Sequence, residues 1–565
     1  MSFKKDFYWG CATSSYQIEG GDQNDGRGLN IWDIFCKDEG RVLDGHTGDV
    51  ACDHYHRYKE DVDIMASLGL KAYRFSINWA RVMPDGFGRV NEKGLKFYSD
   101  LIDYLLEKGI TPFITLYHWE LPYEIHKRGG WMNPDIVEWF GDYAALISDQ
   151  FSDRVTHFFT LNEPQVFIGL GYNTGEHAPG LKCTLADQLI MHQNVLKAQG
   201  RGVQRLREMA RQPIEIGFAP TGSMNYPASD DPKDIEACRK HFFSQDPRLE
   251  RWAWSVSAWS DPVILGSFPD DFLARYEALM PHYTDADMKL ISEPTDIYGQ
   301  NMYNGHEIRM GKNGEPEVVE RPTSFPITGN MWPVTPESMY WGPRFLYERY
   351  KKPLFITENG CCFPDFISID GKVHDSDRVN FLQKYLSRLE DVTEEIDLRG
   401  YFEWSLLDNF EWNFGYRDRF GIVYVDYDTQ KRTIKDSAYW YRDFIKARTK
   451  NKAQKSPKAL HCYRTFILYN SLLHPHLYHL KEISHSPYKD FSFVHPSEVP
   501  RWCSSHRLTH TYDRILDKPQ YELPHRHESL CRPPSLPSYK HSIHARLHGH
   551  ELLHRQPVEK YVLQT

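Results

Sequence analysis

Residues 351–360 read "KKPLFITENG". Leu354, Phe355 and Ile356 run apolar into Thr357, and the run then stops on a carboxylate, Glu358, followed at once by the turn dipeptide Asn359-Gly360. An unbroken apolar run of this length, closed by a turn, reads as a strand buried on both faces, the kind found in parallel sheets. Such a strand has no obvious use for a glutamate at its end. The same thing happens at 158–164, "FFTLNEP", where an apolar run stops on Asn162-Glu163-Pro164.

Working outward from these two stretches, short β-rich runs alternate with longer segments of helical spacing from residue 6 to about 450. The strand candidates are 7–14, 71–77, 111–118, 155–163, 214–220, 296–303, 353–358 and 399–407. Between them lie amphipathic stretches such as 91–109, with apolar Leu95, Tyr98, Leu101, Ile102 and Leu105 on one face, and 375–392, with Asp375 or Ser376 as its N-cap. Eight strands in β-then-α order predict an α/β protein, a single (β/α)8 TIM barrel with long βα loops, over residues 1–450. The competing architecture is a doubly wound open sheet. It lacks its best signal here, because neither G-x-G-x-x-G after the first strand nor G-x-x-x-x-G-K is present.

The rest of the chain, 451–565, is different. From residue 452 on it holds fifteen of the 27 histidines and a single glycine, Gly549, and its sixteen Lys and Arg outnumber nine Asp and Glu. It shows no sustained period, so it is expected to be a disordered, basic, His-rich extension. The shift is abrupt enough to resemble translated non-coding sequence. Pairs such as His474/His476 and His548/His550 are weak chelators at most.

The chain as a whole carries a net charge of −10, which argues against nucleic acid or an anionic membrane as the main partner. No run of apolar residues is long enough to span a bilayer, and the N-terminus reads as a first strand and not as a signal peptide. The ten cysteines are scattered without a C-x-x-C, and there is no Asn-x-Ser/Thr sequon. These features predict a cytoplasmic protein with free thiols and no metal site.

In a barrel the active site lies at the C-terminal ends of the strands. One strand-end glutamate can simply cap the next helix or pair with a lysine. Glu163 and Glu358 end the fourth and seventh candidate strands, across the mouth from one another, and two facing carboxylates are what glycoside hydrolysis uses. One must hold a proton for the leaving oxygen; the other must be ionised. Arg74, in "KAYRF", is a candidate cation for the ionised one.

"TLNEP" and "ITENG" resemble the acid/base and nucleophile motifs of glycoside hydrolase family 1, the β-glucosidase family of retaining enzymes. "FYWGCATSSYQIEG", "YRFSINWARVMPDG", "ITLYHWELP" and "WSLLDNFEWNFGYRDRFGIVYVDY" resemble further signatures of that family, in the family's order. The resemblance implies a (β/α)8 barrel with no metal and no organic cofactor, acting on small-molecule β-glycosides. It implies Glu163 as acid/base and Glu358 as nucleophile. It also implies sugar contacts at Gln17, His118, Asn162, Glu411 and Trp412, and a stacking platform at Trp404. Tyr303, in "GQNMYNG", matches the tyrosine that hydrogen-bonds the nucleophile and Asn301 the asparagine beside it, although Met302 departs from the family's usual Asn-Tyr-Tyr. Trp332 matches the leaving-group-side tryptophan, and Phe420 is expected to close one wall.

The expected activity is exo-hydrolysis of terminal β-D-glucosyl residues from cello-oligosaccharides and simple β-glucosides, with β-galactosides and β-fucosides as further substrates. The alternatives are a 6-phospho-β-glucosidase, a non-catalytic carbohydrate-binding barrel, and a structural protein with a metal-binding tail. A carboxylate at Glu411 would repel a phosphate dianion, and both catalytic carboxylates are present, so the hydrolase of unphosphorylated glycosides ranks first.

Overall fold

A computed structural model describes residues 3–21 and 25–449; the expected extension lies outside the described residues. Eight parallel strands form one sheet: β1 Tyr8–Ala12, β2 Ala72–Ser76, β3 Thr111–Tyr117, β4 His157–Asn162, β5 Glu215–Ala219, β6 Tyr298–Asn301, β7 Leu354–Asn359 and β8 Leu398–Trp404. Their order is 5-4-3-2-1-8-7-6. The two outer strands meet as well, since Asp296 N–H donates to Ile216 O and Asn301 N–H to Pro220 O, both at 2.9 Å. The sheet is thereby closed into the expected (β/α)8 barrel, and each of the eight candidate strands is present within a few residues of its expected bounds.

The opening stretch behaves as its composition requires. All six residues of β7 are buried. Successive side chains alternate, so Phe355 joins the barrel interior with Phe113, Phe159 and Phe402, while Leu354 and Ile356 pack outward into the helical layer. The interior is a packed floor: Phe113 lies 5.0 Å from Phe402 and 5.6 Å from Phe355 between ring centroids. Gly360 is needed for room, since a Cβ there would lie 1.7 Å from the carbonyl oxygen of Trp404.

The helices follow the same logic. Glu92–Glu107 buries Leu95, Tyr98, Leu101, Ile102 and Leu105, the face expected from spacing. Ser376–Val392 begins after Asp375, but that carboxylate does not cap the helix. It is taken by the buried Arg378 and by Ser437 on the last helix, Asp436–Thr449. Oδ2 accepts from the guanidinium and the Ser437 hydroxyl and Oδ1 from the Ser437 N–H, so both oxygens are already engaged. Among the described residues no helix is long and apolar enough to cross a membrane.

Candidate active site

The pairing of strands slips at the C-terminal rim. Between β7 and β6 the register shifts between Ile356 and Glu358, and between β4 and β5 it shifts between Phe159 and Asn162. Such bulges bend a strand end and re-aim its side chains. Glu163 itself takes a left-handed conformation, φ 48°, before Pro164 opens a short helix, Pro164–Ile168. Glu163 and Glu358 are both buried, 6% and 3% exposed.

Their surroundings differ. One guanidinium NH of Arg74 donates to Glu358 Oε1 at 2.8 Å, and the Tyr303 hydroxyl donates to Oε2, also at 2.8 Å. Arg74 is itself buried, seated over the Phe159 ring, and its remaining N–H groups go to Thr115 Oγ1, the Thr357 carbonyl and Asn162 Oδ1. The donors beside Glu163 are neutral: Asn301 Nδ2, 2.7 Å from Oε1, and the Thr221 hydroxyl. Burial pushes the Glu163 carboxyl up to about 8, and the nearby Glu358 charge adds to the shift. Burial raises Glu358 too, but there Arg74 and Tyr303 pull the other way. Two interacting carboxyls titrate as a pair, and the geometry assigns the shared proton to Glu163.

A network of amides joins the two strand ends. Asn301 Nδ2 also donates to Asn162 Oδ1 at 3.1 Å, and Asn301 Oδ1 accepts from the Thr357 hydroxyl at 2.7 Å. Asn162 Oδ1 thus accepts twice, so its Nδ2 is the donor to His118 Nε2, 3.2 Å away. That assigns the proton of His118 to Nδ1, which has no partner among the described residues. Burial, reinforced by Arg74, holds the imidazole well below its ordinary pKa, so it is neutral.

Beside this network, Gln17 Nε2 donates to Asn409 Oδ1 and Phe410 O, with Glu411 Oε2 at 3.4 Å. Burial, with Asp418, Glu358 and Glu163 nearby, raises the Glu411 carboxyl well above the usual range. The His118 ring lies nearly parallel to Trp404, 5.6 Å and 15°, and to Trp412, 6.1 Å and 19°. Trp332, Tyr303 and Phe420 form an aromatic wall with centroids 5.1–6.4 Å apart. Met302 does not disturb this arrangement, because it points into the core while Asn301 and Tyr303 face the carboxylates.

The sequence-predicted residues therefore lie in one connected cluster at the rim of the barrel. Sequence reasoning missed Thr115, Thr357 and Asn409, which orient Arg74, Asn301 and Gln17. Threonine is an ordinary strand residue, so its hydroxyl's role leaves no mark in the pattern.

The "Glycosyl hydrolase family 1" model matches residues 1–450. Beta-glucosidase A of Thermotoga maritima is 44% identical over 447 residues, covering 79% of this chain and 98% of the relative. Beta-glucosidase 1B of Phanerodontia chrysosporium is 40% identical over 497 residues, covering 81% of this chain and 90% of the relative. Among solved structures, the beta-glucosidase from Thermotoga maritima in complex with glucoimidazole superposes with a TM-score of 0.72 at 43% identity, over 79% of this chain and 99% of that one. With a family model matched along the whole barrel and relatives aligned over nearly their full lengths, the chain belongs to glycosyl hydrolase family 1.

Proposed function

We propose that this protein is a retaining β-glucosidase with Glu358 as nucleophile and Glu163 as acid/base. The observation that carries the assignment is the asymmetry between the two carboxyls: Glu358 is held by a guanidinium and a phenol, Glu163 by neutral donors, an amide and a threonine hydroxyl. Ionised Glu358 attacks the anomeric carbon while Glu163 gives its proton to the departing oxygen. A covalent α-glycosyl ester on Glu358 results. Glu163, now ionised, takes a proton from water, which attacks the ester and releases β-glucose. His118 Nδ1–H, Asn162, Gln17 and Glu411 present donors and acceptors to the sugar hydroxyls, and Trp404 offers its face to the C–H groups.

The names of the relatives, among them 1,4-beta-D-glucan glucohydrolase of Thermotoga neapolitana, support glucose as glycone and cello-oligosaccharides, including cellobiose, as substrates in polysaccharide breakdown. Glu411 disfavours a 6-phosphorylated sugar, because its carboxyl lies among Asp418, Glu358 and Glu163. A cytoplasmic location is supported by free thiols at Cys11, Cys36, Cys52, Cys238, Cys361 and Cys362.

Proton NMR of the first product tests the stereochemistry, and β-glucose is expected. A 2-deoxy-2-fluoro-β-glucoside with a good leaving group is expected to label Glu358, read by peptide mass spectrometry. Carboxyls about 5–5.5 Å apart fit that outcome. First-formed α-glucose would mean an inverting enzyme and would remove Glu358 from the nucleophile's role.

A further inference from the structure

The strand end that carries Glu358 is also braced from outside the barrel. On β8, Phe402 and Trp404 join the barrel interior, while Tyr401 packs outward, its ring 6.1 Å from Tyr441 on the last helix. Glu403 lies between Phe402 and Trp404 and faces outward with Tyr401. It is the register partner of Cys11 on β1 and of Asn359 on β7. The Glu403 side chain is fully buried, and its Oε1 has no hydrogen-bond partner among the described residues. Its Oε2 lies 2.7 Å from the Tyr401 hydroxyl. The same hydroxyl lies 2.9 Å from a second acceptor, Asn359 Oδ1.

A phenol carries one hydrogen, so it satisfies only one of these acceptors. The Asn359 amide decides which. Its Nδ2 lies 2.7 Å from the Met302 carbonyl oxygen, which can only accept, so Oδ1 is the atom that faces the phenol. With the Tyr401 hydrogen on Asn359 Oδ1, the phenol oxygen is left to accept, and Glu403 Oε2 must bring the hydrogen. With the Tyr401 hydrogen on Glu403 instead, two bare oxygens face each other at 2.9 Å and Glu403 keeps a buried charge. Arg378, the cation that acts on Glu403, is already engaged by Asp365, Asp375 and the carbonyls of Cys361 and Arg419. The other groups around Glu403 are Cys11 on β1, Cys361 after β7 and Tyr441, all raised by burial and neutral, and Asp375, a further anion. Burial accordingly pushes the Glu403 carboxyl up to about 8.

With the proton on Glu403 every hydrogen has one place. Glu403 donates to Tyr401, Tyr401 to Asn359, and Asn359 Nδ2 to Met302 O. The Met302 N–H then donates to the Glu358 carbonyl at 2.8 Å. The chain of bonds runs from β8 across β7 to the segment after β6 and returns to Glu358. Met302 stands between Asn301 and Tyr303, whose side chains hold Glu163 and Glu358. We propose that Glu403, as a neutral acid, is a positioning residue for the two catalytic carboxyls, fixing through Tyr401 and Asn359 the Met302 peptide and with it Asn301 and Tyr303. The proposal rests on the β-glucosidase reading above. Ionisation of Glu403 would draw the phenol hydrogen to itself and leave Asn359 Oδ1 without its donor, so the brace holds only while the acid is neutral.

The test measures kcat/KM for 2,4-dinitrophenyl β-glucoside against pH. That leaving group departs without a proton, so the state of Glu163 does not set the alkaline limb. At about pH 6, Glu403→Gln, whose amide still donates to the phenol, should stay within about twofold of the unmodified enzyme, while Glu403→Leu and, separately, Tyr401→Phe should each lose about three- to tenfold. From about pH 8 upward the unmodified enzyme should lose activity as Glu403 ionises, and the Gln variant should not. The Gln profile decides the matter should the Leu variant fail to fold. A Gln variant as impaired as the Leu variant, a Leu variant as active as the unmodified enzyme, or an alkaline fall unchanged by Glu403→Gln overturns the proposal. No turnover of the glucoside by the unmodified enzyme would instead sink the hydrolase reading on which it stands.

Discussion

Replacing Tyr303 by Phe removes one oxygen from the site, and with it the phenol's donor, and little else. The ring keeps its contacts with Trp332 and Phe420, at 5.1 and 6.4 Å. What disappears is the 2.8 Å bond from the hydroxyl to Glu358 Oε2. Burial raises the phenol's own pKa well above its ordinary value, so it is a donor at every working pH. A hydrogen bond to a charged group contributes roughly 1.5–3 kcal/mol. Here it favours the ionised carboxylate over the neutral acid, and a pKa unit corresponds to about 1.4 kcal/mol. Its loss should therefore raise the Glu358 pKa by about one to two units. In the pH profile of kcat/KM on 4-nitrophenyl β-glucoside, the acid limb reports the nucleophile becoming protonated, so it should move up by that amount. The alkaline limb, which reports Glu163 losing its proton, should move less. The melting temperature should change little. If kcat falls but the acid limb stays within a few tenths of a unit of its original position, Tyr303 positions substrate and does not tune the nucleophile.

Glu411→Ser should lower kcat/KM for β-glucosides by about 1–3 kcal/mol, because Gln17 and the sugar hydroxyls lose a partner in a buried site; unchanged kcat/KM would take Glu411 out of the site. Glu120 is fully buried with no cation paired to it among the described residues, and burial, with Glu19 nearby, raises its carboxyl to about 8. Its folded pKa exceeds the unfolded value of about 4.3, so the folded state holds a proton that the unfolded state has lost, and stability falls as pH rises between the two, by up to about 5 kcal/mol. Glu120→Gln should therefore raise the melting temperature more at pH 8 than at pH 5; an equal gain at both would mean the native carboxyl is ionised throughout. Truncation after Lys450 should leave kcat and the melting temperature nearly unchanged, since the last described helix ends at Thr449; a large loss of either would show that the extension packs on the barrel.

Much of this arrangement was legible before any coordinates. A buried strand that ends on a carboxylate violates the pattern its own residues set up, and such violations concentrate at functional sites. Glu163 and Glu358 stood out for that reason, and helical spacing placed the faces of 92–107. What stayed hidden was whatever looked ordinary. Thr357 fits a strand whether or not its hydroxyl holds Asn301. Gly360 read as half of a turn dipeptide, but the observed constraint is the approach of the Trp404 carbonyl from a strand 44 residues later. Asp375 had the right spacing for a cap, but Arg378 one turn along the same helix takes it, and only the tertiary fold brings Ser437 to it.

The division of labour between the carboxyls follows from a count of charge at the rim. Arg74 is buried, and a guanidinium cannot shed its proton, so it requires an anion beside it. Glu358 is the one carboxylate paired with it among the described residues. With that pair formed, no further cation among the described residues pairs with Glu163 or Glu411. Both are buried, and a buried carboxyl without a cation lowers its free energy by keeping its proton. The rim thus favours the charge on Glu358 and the proton on Glu163, the arrangement that the proposed nucleophile and proton donor require. The strand end that Arg74 reaches, from β2 across the barrel to β7, decides which glutamate becomes which. Without Arg74 only the Tyr303 hydroxyl would still favour the charge on Glu358, and the preference between the two proposed roles would shrink accordingly.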